Sequence, residues 1–466
     1  MTCKNNKVGV VVLIALVVGS MIGSGLFDLP SDIALRSALA PTLIGWSITF
    51  IGMLCLALVF KELSLRKPNL DAGIYAYAKA GFGDYMGFNS AWGYWISAWM
   101  GNVAFVIMLC SSLSAFLPIF GDGTNSASLI VSSILIWSIT ALCAKGVKSA
   151  SFLNLITTAI KVIAILIFIA FVIYGFDFKV FNHDIWGVSI GTTVFTQVKE
   201  TMLITLWVFI GIESACVFSG RAKKRQDIGH ATVIGFLVVF VILFMVSVLP
   251  FGIFHTHELA TLSTPSTAGI LEHIVGSIGK KFIDLAMLIA ILGALLAWIL
   301  LAAEVPYTAA VRDRLFPKIF AKTNATTSPI GSLYVTALFQ QIYIIIAYFS
   351  HSGYLKTLSL ATAMIIIPYF LSAAYSLMLS VTGKTYEYDN HDRIRNCIVS
   401  SVALLYCAWL LYAAGVYLLL STTLYVVGTI VYIATRISSG SKIFTRAELV
   451  IVSIILIAGL YAISSL

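Results

Sequence analysis

Charge is scarce in this 466-residue chain: 11% of its residues are Asp, Glu, Lys or Arg, while 60% are hydrophobic. A water-soluble domain is roughly one quarter charged, which excludes a soluble domain as the bulk of the chain. The strict apolar–polar alternation of a membrane β-barrel is also missing. Cysteine is sparse. Cys3, Cys55, Cys110, Cys143, Cys216, Cys397 and Cys407 are scattered, form no CxxC pair and read as small apolar packing residues. There is no HExxH, and the acids within apolar runs are not visibly paired, so nothing supports an intramembrane enzyme. His255 and His257 form an HxH, but two ligands without a third make a weak metal signal. Neither a metal nor a cofactor is expected. A channel is disfavoured because no repeated pore-lining ring is visible. A receptor is disfavoured because no soluble output domain is visible.

What is present is a series of apolar blocks of 18 or more residues with few charges, the mark of membrane-spanning helices. Spans are expected at 8–35, 40–61, 86–117, 126–144, 150–175, 196–219, 228–254, 282–311, 329–350, 355–382, 396–415 and 417–437, with a thirteenth apolar segment at 447–464. The first run is too long for a secretory signal and lacks a small-residue cleavage site, so it reads as a true span. Alternating the segments sorts the 29 Lys and Arg: 22 fall on the side of the N-terminus and six on the other (Arg36, Lys179, Lys199, Lys280, Lys281, Lys356), with Lys161 inside a span. That asymmetry predicts a cytoplasmic N-terminus. It also accounts for most of the net charge of +9 without a nucleic-acid partner.

The first span contains VGSMIGSGLFDLP, with Gly19, Gly23, Ser24 and Gly25 at mid-depth. Three readings compete: a GxxxG that lets two helices approach, a simple kink, and a helix that stops and restarts to bind a ligand with its freed backbone groups. The sixth span, in TLWVFIGIESACVFSG, is likewise interrupted at Gly211, Ser214 and Gly220, with Glu213 between them. A second break at the matching place favours the discontinuous reading and fits two five-span repeats of opposite orientation. Helix N-termini at such breaks suit a carboxylate, and C-terminal carbonyls suit an ammonium. A zwitterion such as an amino acid answers both.

Charges inside spans are costly and mark function. Glu213 reads either as a buried acid satisfied by freed N–H groups or as a gate. Lys161, about 16 Å deep in span five, and Glu304, about 12 Å deep in span eight, lie at similar depths by helical rise and are expected to pair, directly or through water. For Lys161 a fixed charge in place of a coupling cation, a proton carrier and a structural ion pair stay open. Trp207 and Trp298 fall in the broken sixth span and in the middle of the eighth, where an indole can cover a cation or simply pack.

The segments GSMIGSGLFDLP, WVFIGIESACVFSG with RAKKRQDIGHATVIG, and DAGIYAYAKAGFGDYMGFNSAWGYWISAWMGNVAF resemble the amino acid–polyamine–organocation superfamily of transporters. Their likeness is to its basic amino acid/polyamine antiporter branch, with arginine/ornithine and arginine/agmatine antiporters nearest. The resemblance implies an all-α membrane protein of 12 spans, or 13 with the last segment, in a LeuT-like five-plus-five inverted repeat with helices 1 and 6 broken. Its parts would be 1–175, 196–382, 396–437 and 447–464. It implies exchange of external arginine for agmatine or ornithine by alternating access; proton-coupled symport or uniport is the alternative. It further implies a homodimer in the bacterial inner membrane. Carried over by motif, Met21, Ser24, Gly25 and Ile210 would hold the substrate's α-groups and Trp207 its aliphatic part. Ser97, Asn102 and Trp298 would face the distal cation, and Ser359 or Thr362 would line the pocket. Tyr94, Glu213 and Tyr369 resemble gate residues. Lys161 resembles a lysine that replaces sodium in some relatives. Asp28 departs from the pattern, as an attractor for cations or a bland vestibule acid.

Overall fold

The computed structural model describes residues 7–114, 116–350, 354–386 and 390–464. Cys3 and Lys4, and the side chains of Lys148 and Lys356, lie outside what it describes. The first span is two helices, α1 (Val10–Met21) and α2 (Gly25–Ala34), bent by 42° at their junction. Then come α3 (Leu39–Arg66), the short α4 (Ile74–Phe82), α5 (Asp84–Leu113), α6 (Ser126–Lys145), α7 (Val147–Tyr174) and the one-turn α8 (Phe178–Phe181). The sixth span is α9 (Val194–Phe209) followed by the stub α10 (Ser214–Val217). The rest are α11 (Arg225–Val248), α12 (Thr256–Ala260), α13 (Ser266–Val275), α14 (Ser277–Asp313), α15 (Ile330–Ser350), α16 (Tyr354–Thr382), α17 (Asn390–Ala414), α18 (Val416–Ser438) and α19 (Arg446–Ser464). Among the described residues, eleven helices are long and apolar enough to cross a membrane, twelve if the bent first pair counts as one span.

Span boundaries move where polar first turns extend a helix past the lipid. The eighth span starts at Ser277, so Lys280 and Lys281 lie on α14 and not in a loop. The eleventh starts at Asn390, six residues before the sequence expectation. The segment after span twelve is a helix packed along α18. Its 19 residues reach about 28 Å, enough to match the hydrocarbon core, and Ile454, Ile457 and Leu460 point outward from it.

Helices α5 and α14 pack on each other at the centre, where Trp95, Tyr94, Phe88, Leu295 and Leu301 are fully enclosed. A helix apolar on every side is satisfied only when surrounded by others or by lipid. Helix α1 lies against α11 and α7, while α16 packs on α5 and α17.

The face that carries the basic loops is sealed by ion pairs. Arg221, just past span six, clamps Glu304 with Nε at 3.1 and 3.0 Å and Nη2 at 2.8 Å from the carboxylate oxygens. Asp71, in the turn before α4, accepts from both Arg225 and Arg312. Lys79 on α4 donates to Asp313 at 2.6 Å and lies 3.2 Å from Asp84. Burial works against the Lys79 ammonium, but those two carboxylates outweigh it and raise its pKa above the ordinary lysine value. Val8 adds a backbone tie: its N–H donates to the Arg221 carbonyl at 2.8 Å and its carbonyl accepts from Lys223 N–H at 2.9 Å.

Glu304→Gln strips the buried Arg221 guanidinium of its charged partner. Breaking one side of such a pair costs about 3–5 kcal/mol. The expected result is a lower melting temperature and faster alkylation of Cys216 from the basic face, measured with the other cysteines replaced by serine. An unchanged alkylation rate would mean that the clamp does not hold this face shut.

Candidate functional site

The two breaks meet at the centre of the molecule. At the first, Gly23 N–H bonds to the Met21 carbonyl at 3.1 Å instead of reaching back four residues, which leaves the Gly19 carbonyl without its helical donor. At the second, Ile210 turns to φ −61°, ψ 126°, and Gly211 adopts φ +117°, a conformation open chiefly to glycine. Ser20 Oγ stitches the breaks together, 2.8 Å from Ser214 Oγ and 3.2 Å from the Gly211 carbonyl.

Lys161 fills the first break. Its ammonium, fully buried on α7, donates to the carbonyls of Gly19 at 2.6 Å and Ile22 at 2.5 Å. A cation at carbonyls released by a helix end is the arrangement the local dipoles favour. The expected partnership with Glu304 is therefore corrected: Glu304 belongs to Arg221. Depth along two helices fixes only one coordinate, and rotation about each axis turned the two side chains to different neighbours. The GxxxG reading also holds part of the truth. A Cβ on Gly19 would come within 2.5 Å of Thr158 Oγ1, so that glycine lets α7 and its lysine approach.

Between the breaks lies a cavity with about 370 Å³ of empty space. Ser20, Met21, Gly23 and Gly25 line it from the first span, Ser97, Ala98, Gly101 and Phe105 from α5, Trp207, Val208 and Ile210 from α9, and Trp298 from α14. Gly25 opens α2, whose first N–H groups have no helical acceptor. A Cβ there would strike Trp207 Nε1 at 2.7 Å, so only glycine lets this indole lie over the helix end. Trp298 is fixed by Nε1 donating to the Ser20 carbonyl at 2.9 Å. Ser97 Oγ and both polar atoms of the Asn102 side chain are buried with no hydrogen-bond partner among the described residues. Orphaned buried groups are rare and call for a ligand or water.

Six of the ten residues expected to touch substrate thus line this cavity: Met21, Gly25, Ser97, Trp207, Ile210 and Trp298. Ser24 is wholly buried as the residue preceding α2, and Asn102 sits behind the wall next to Gly101. Ser359 and Thr362 line a different space, a vestibule of about 1230 Å³ on the face opposite the basic loops. Gly25, Trp207 and Val208 border both spaces, so Trp207 is the partition. Toward the basic face, Tyr369 donates to Glu213 Oε2 at 2.5 Å, and the same oxygen accepts from Gly211 N–H at 3.1 Å. Tyr94 faces this carboxylate and its ring lies 6.3 Å from Trp298. The first reading of Glu213 holds for Oε2, which a freed N–H satisfies, while Oε1 is buried with no hydrogen-bond partner among the described residues. Asp28 is no attractor: it is buried and accepts from Ser266 N–H at 3.0 Å, pinning α2 to α13. His255 and His257 are not brought together as ligands; His255 lies against the His183 ring at 4.4 Å.

The motif reading missed Phe105 and Ser20. Phe105 could have been found, because 98, 101 and 105 share one helical face.

An all-helical bundle with two interrupted spans around a central cavity fits a membrane transporter. The chain belongs to the amino acid permease family, whose model matches residues 8–457. It is 46% identical to an arginine/ornithine antiporter of Pseudomonas aeruginosa, over 98% of this chain and 97% of that one. It is 39% identical to an arginine/agmatine antiporter of Chlamydia caviae, over 99% and 96%. It is 36% identical to an L-lysine transport protein of Corynebacterium glutamicum, over 97% and 94%. In fold it is similar to a Na+-coupled sialic acid symporter solved in a substrate-bound outward-open state, with a TM-score of 0.52 over 89% of this chain and 91% of that one at 14% identity.

Lys161→Met keeps the chain length but leaves two carbonyls buried without donors, each costing about 1–3 kcal/mol. A marked drop in melting temperature and loss of transport are expected. A variant as stable and active as the parent protein would remove Lys161 from the account of the first break.

Proposed function

We propose that the protein is an antiporter that brings in external arginine against an internal product, agmatine or ornithine, with both passing through the cavity between the breaks. The observation that carries this is the meeting of two opened helix ends beneath Trp207. The α2 N-terminus at Ser24 and Gly25 offers N–H groups to a carboxylate, and the α9 end at Ile210 offers carbonyls to an α-ammonium. Trp207 covers the aliphatic stem. Trp298 and Ser97 receive the distal cation, with Asn102 behind them; a desolvated indole face attracts one by about 2 kcal/mol. The names borne by the relatives support antiport of arginine over the proton-coupled alternative.

Transport then runs by relative motion of the two repeats, 1–175 and 196–382, about this site, with 396–437 and 447–464 outside the moving pair. Trp207 closes toward the vestibule; Glu213, Tyr94, Tyr369 and the Arg221–Glu304 clamp close toward the basic face. Lys161 holds the position at the first break that a coupling cation would otherwise fill, so exchange needs no sodium. The basic loops support a cytoplasmic N-terminus in a bacterial inner membrane, and the family resemblance supports a homodimer.

Counterflow tests the reading. Vesicles loaded with arginine are expected to take up labelled arginine, and agmatine or ornithine, while empty vesicles take up little. Equal uptake into empty vesicles would replace antiport with uniport or symport. Trp298→Leu is expected to weaken arginine binding roughly tenfold while sparing a neutral amino acid of similar size, since only the cation–π contact is lost. Equal weakening for both would move the cation away from Trp298.

A further inference from the structure

The cavity between the breaks has no carboxylate in its wall. A cationic side chain therefore meets aromatic faces and neutral polar groups there, with no opposite charge. A carboxylate with neither hydrogen bond nor ion pair among the described residues lies in the vestibule. Asp32 lies seven residues after Gly25 on α2, about 10 Å farther out by helical rise, and lines that space with Arg36, Lys199 and Glu200. Arg36 also acts electrostatically on Asp32, but it and Lys199 have contacts of their own. Arg36 holds Glu200 at 3.2 Å, and the Lys199 ammonium sits 5.9 Å from the centre of the Tyr412 ring. Asp28, one turn nearer the break, is turned to Ser266. Asp32 is only partly buried and has no hydrogen bond or ion pair among the described residues.

We propose that Asp32 is a specificity-determining residue of the outer vestibule. It draws the cationic end of the incoming substrate to a waiting position above Trp207, before the α-groups engage the breaks. The inference rests on the cationic substrate proposed above. A carboxylate at the mouth of a cleft with low-dielectric walls raises the local concentration of cations beside it and their rate of entry, and salt screens it. Asp32 contributes to capture from this face alone. The inner cavity then needs only to discriminate by shape and by its aromatic walls.

The test is exchange of labelled arginine in sealed vesicles of each orientation, at low and at high ionic strength. Asp32→Asn is expected to raise KM from the vestibule face roughly three- to tenfold and to remove most of its salt dependence. The maximal rate and the KM from the basic face should stay within about twofold, because the charge acts on entry. Asp32→Glu should restore the parental KM. Unchanged KM and salt dependence in Asp32→Asn would overturn the proposal, as would equal loss from both faces. If Asp32→Asn fails to reach the membrane, the parent protein decides alone. A steeper rise of KM with salt on the vestibule face supports the role, and equal slopes on the two faces overturn it. A parent protein that exchanges no cationic amino acid would overturn the substrate reading, and this one with it.

Discussion

An ammonium group holding two peptide carbonyls is the contact around which this molecule is arranged. Lys161 reaches Gly19 and Ile22 where α1 ends, and without a donor there the released carbonyls would lie unsatisfied in a dry interior. A helix broken in lipid is tolerable only if every freed group finds a partner. The lysine satisfies the C-terminal side of the break, which leaves the N-terminal side, at Gly25, open to the cavity. The Lys161 nitrogen lies at the negative end of a helix, where a positive group is favoured.

The remainder of the centre follows from that first interruption. Ser20 lies within it and joins the second break through Ser214 and Gly211. Trp298 is anchored to the Ser20 carbonyl, so the indole's position depends on the unwound segment. Glu213 in turn holds Gly211 N–H and the Tyr369 hydroxyl. Groups freed by the breaks are answered across them by Ser20, from α7 by Lys161 and locally by Glu213, which is how irregular backbone survives at this depth. The ion pairs of the basic face use the same logic at larger scale. Arg221, Arg225 and Arg312 close that side around two carboxylates, while the vestibule side is divided from the site by one indole.

Much of the plan was legible beforehand because lipid limits what a chain can do. Long apolar blocks can only be helices, glycine clusters at mid-depth can only be tolerated for a reason, and two such clusters at matching places imply a shared site. The third-span residue Ser97 and the indoles Trp207 and Trp298 were placed through motif resemblance and line the cavity, while Asn102, placed with them, does not. The failures have one cause. Lys161 was matched with Glu304 by depth, Ser359 and Thr362 were carried over by motif as pocket residues, and Asp28 was left open between attractor and bland acid. None of them could be judged by which way the helix was turned.

Sequence alone determined the number and course of the spans, the sorting of basic residues to one face, and the two breaks at Gly19–Gly25 and Gly211–Gly220. These are local or one-dimensional properties, set by hydropathy, charge and the conformational freedom of glycine. Only the tertiary structure decided that Lys161 answers carbonyls and Arg221 answers Glu304, that Trp207 divides vestibule from cavity, and that Asp32 faces the vestibule. Those outcomes depend on the rotation of each helix about its axis and on which neighbours it meets, a packing solution that no single segment encodes.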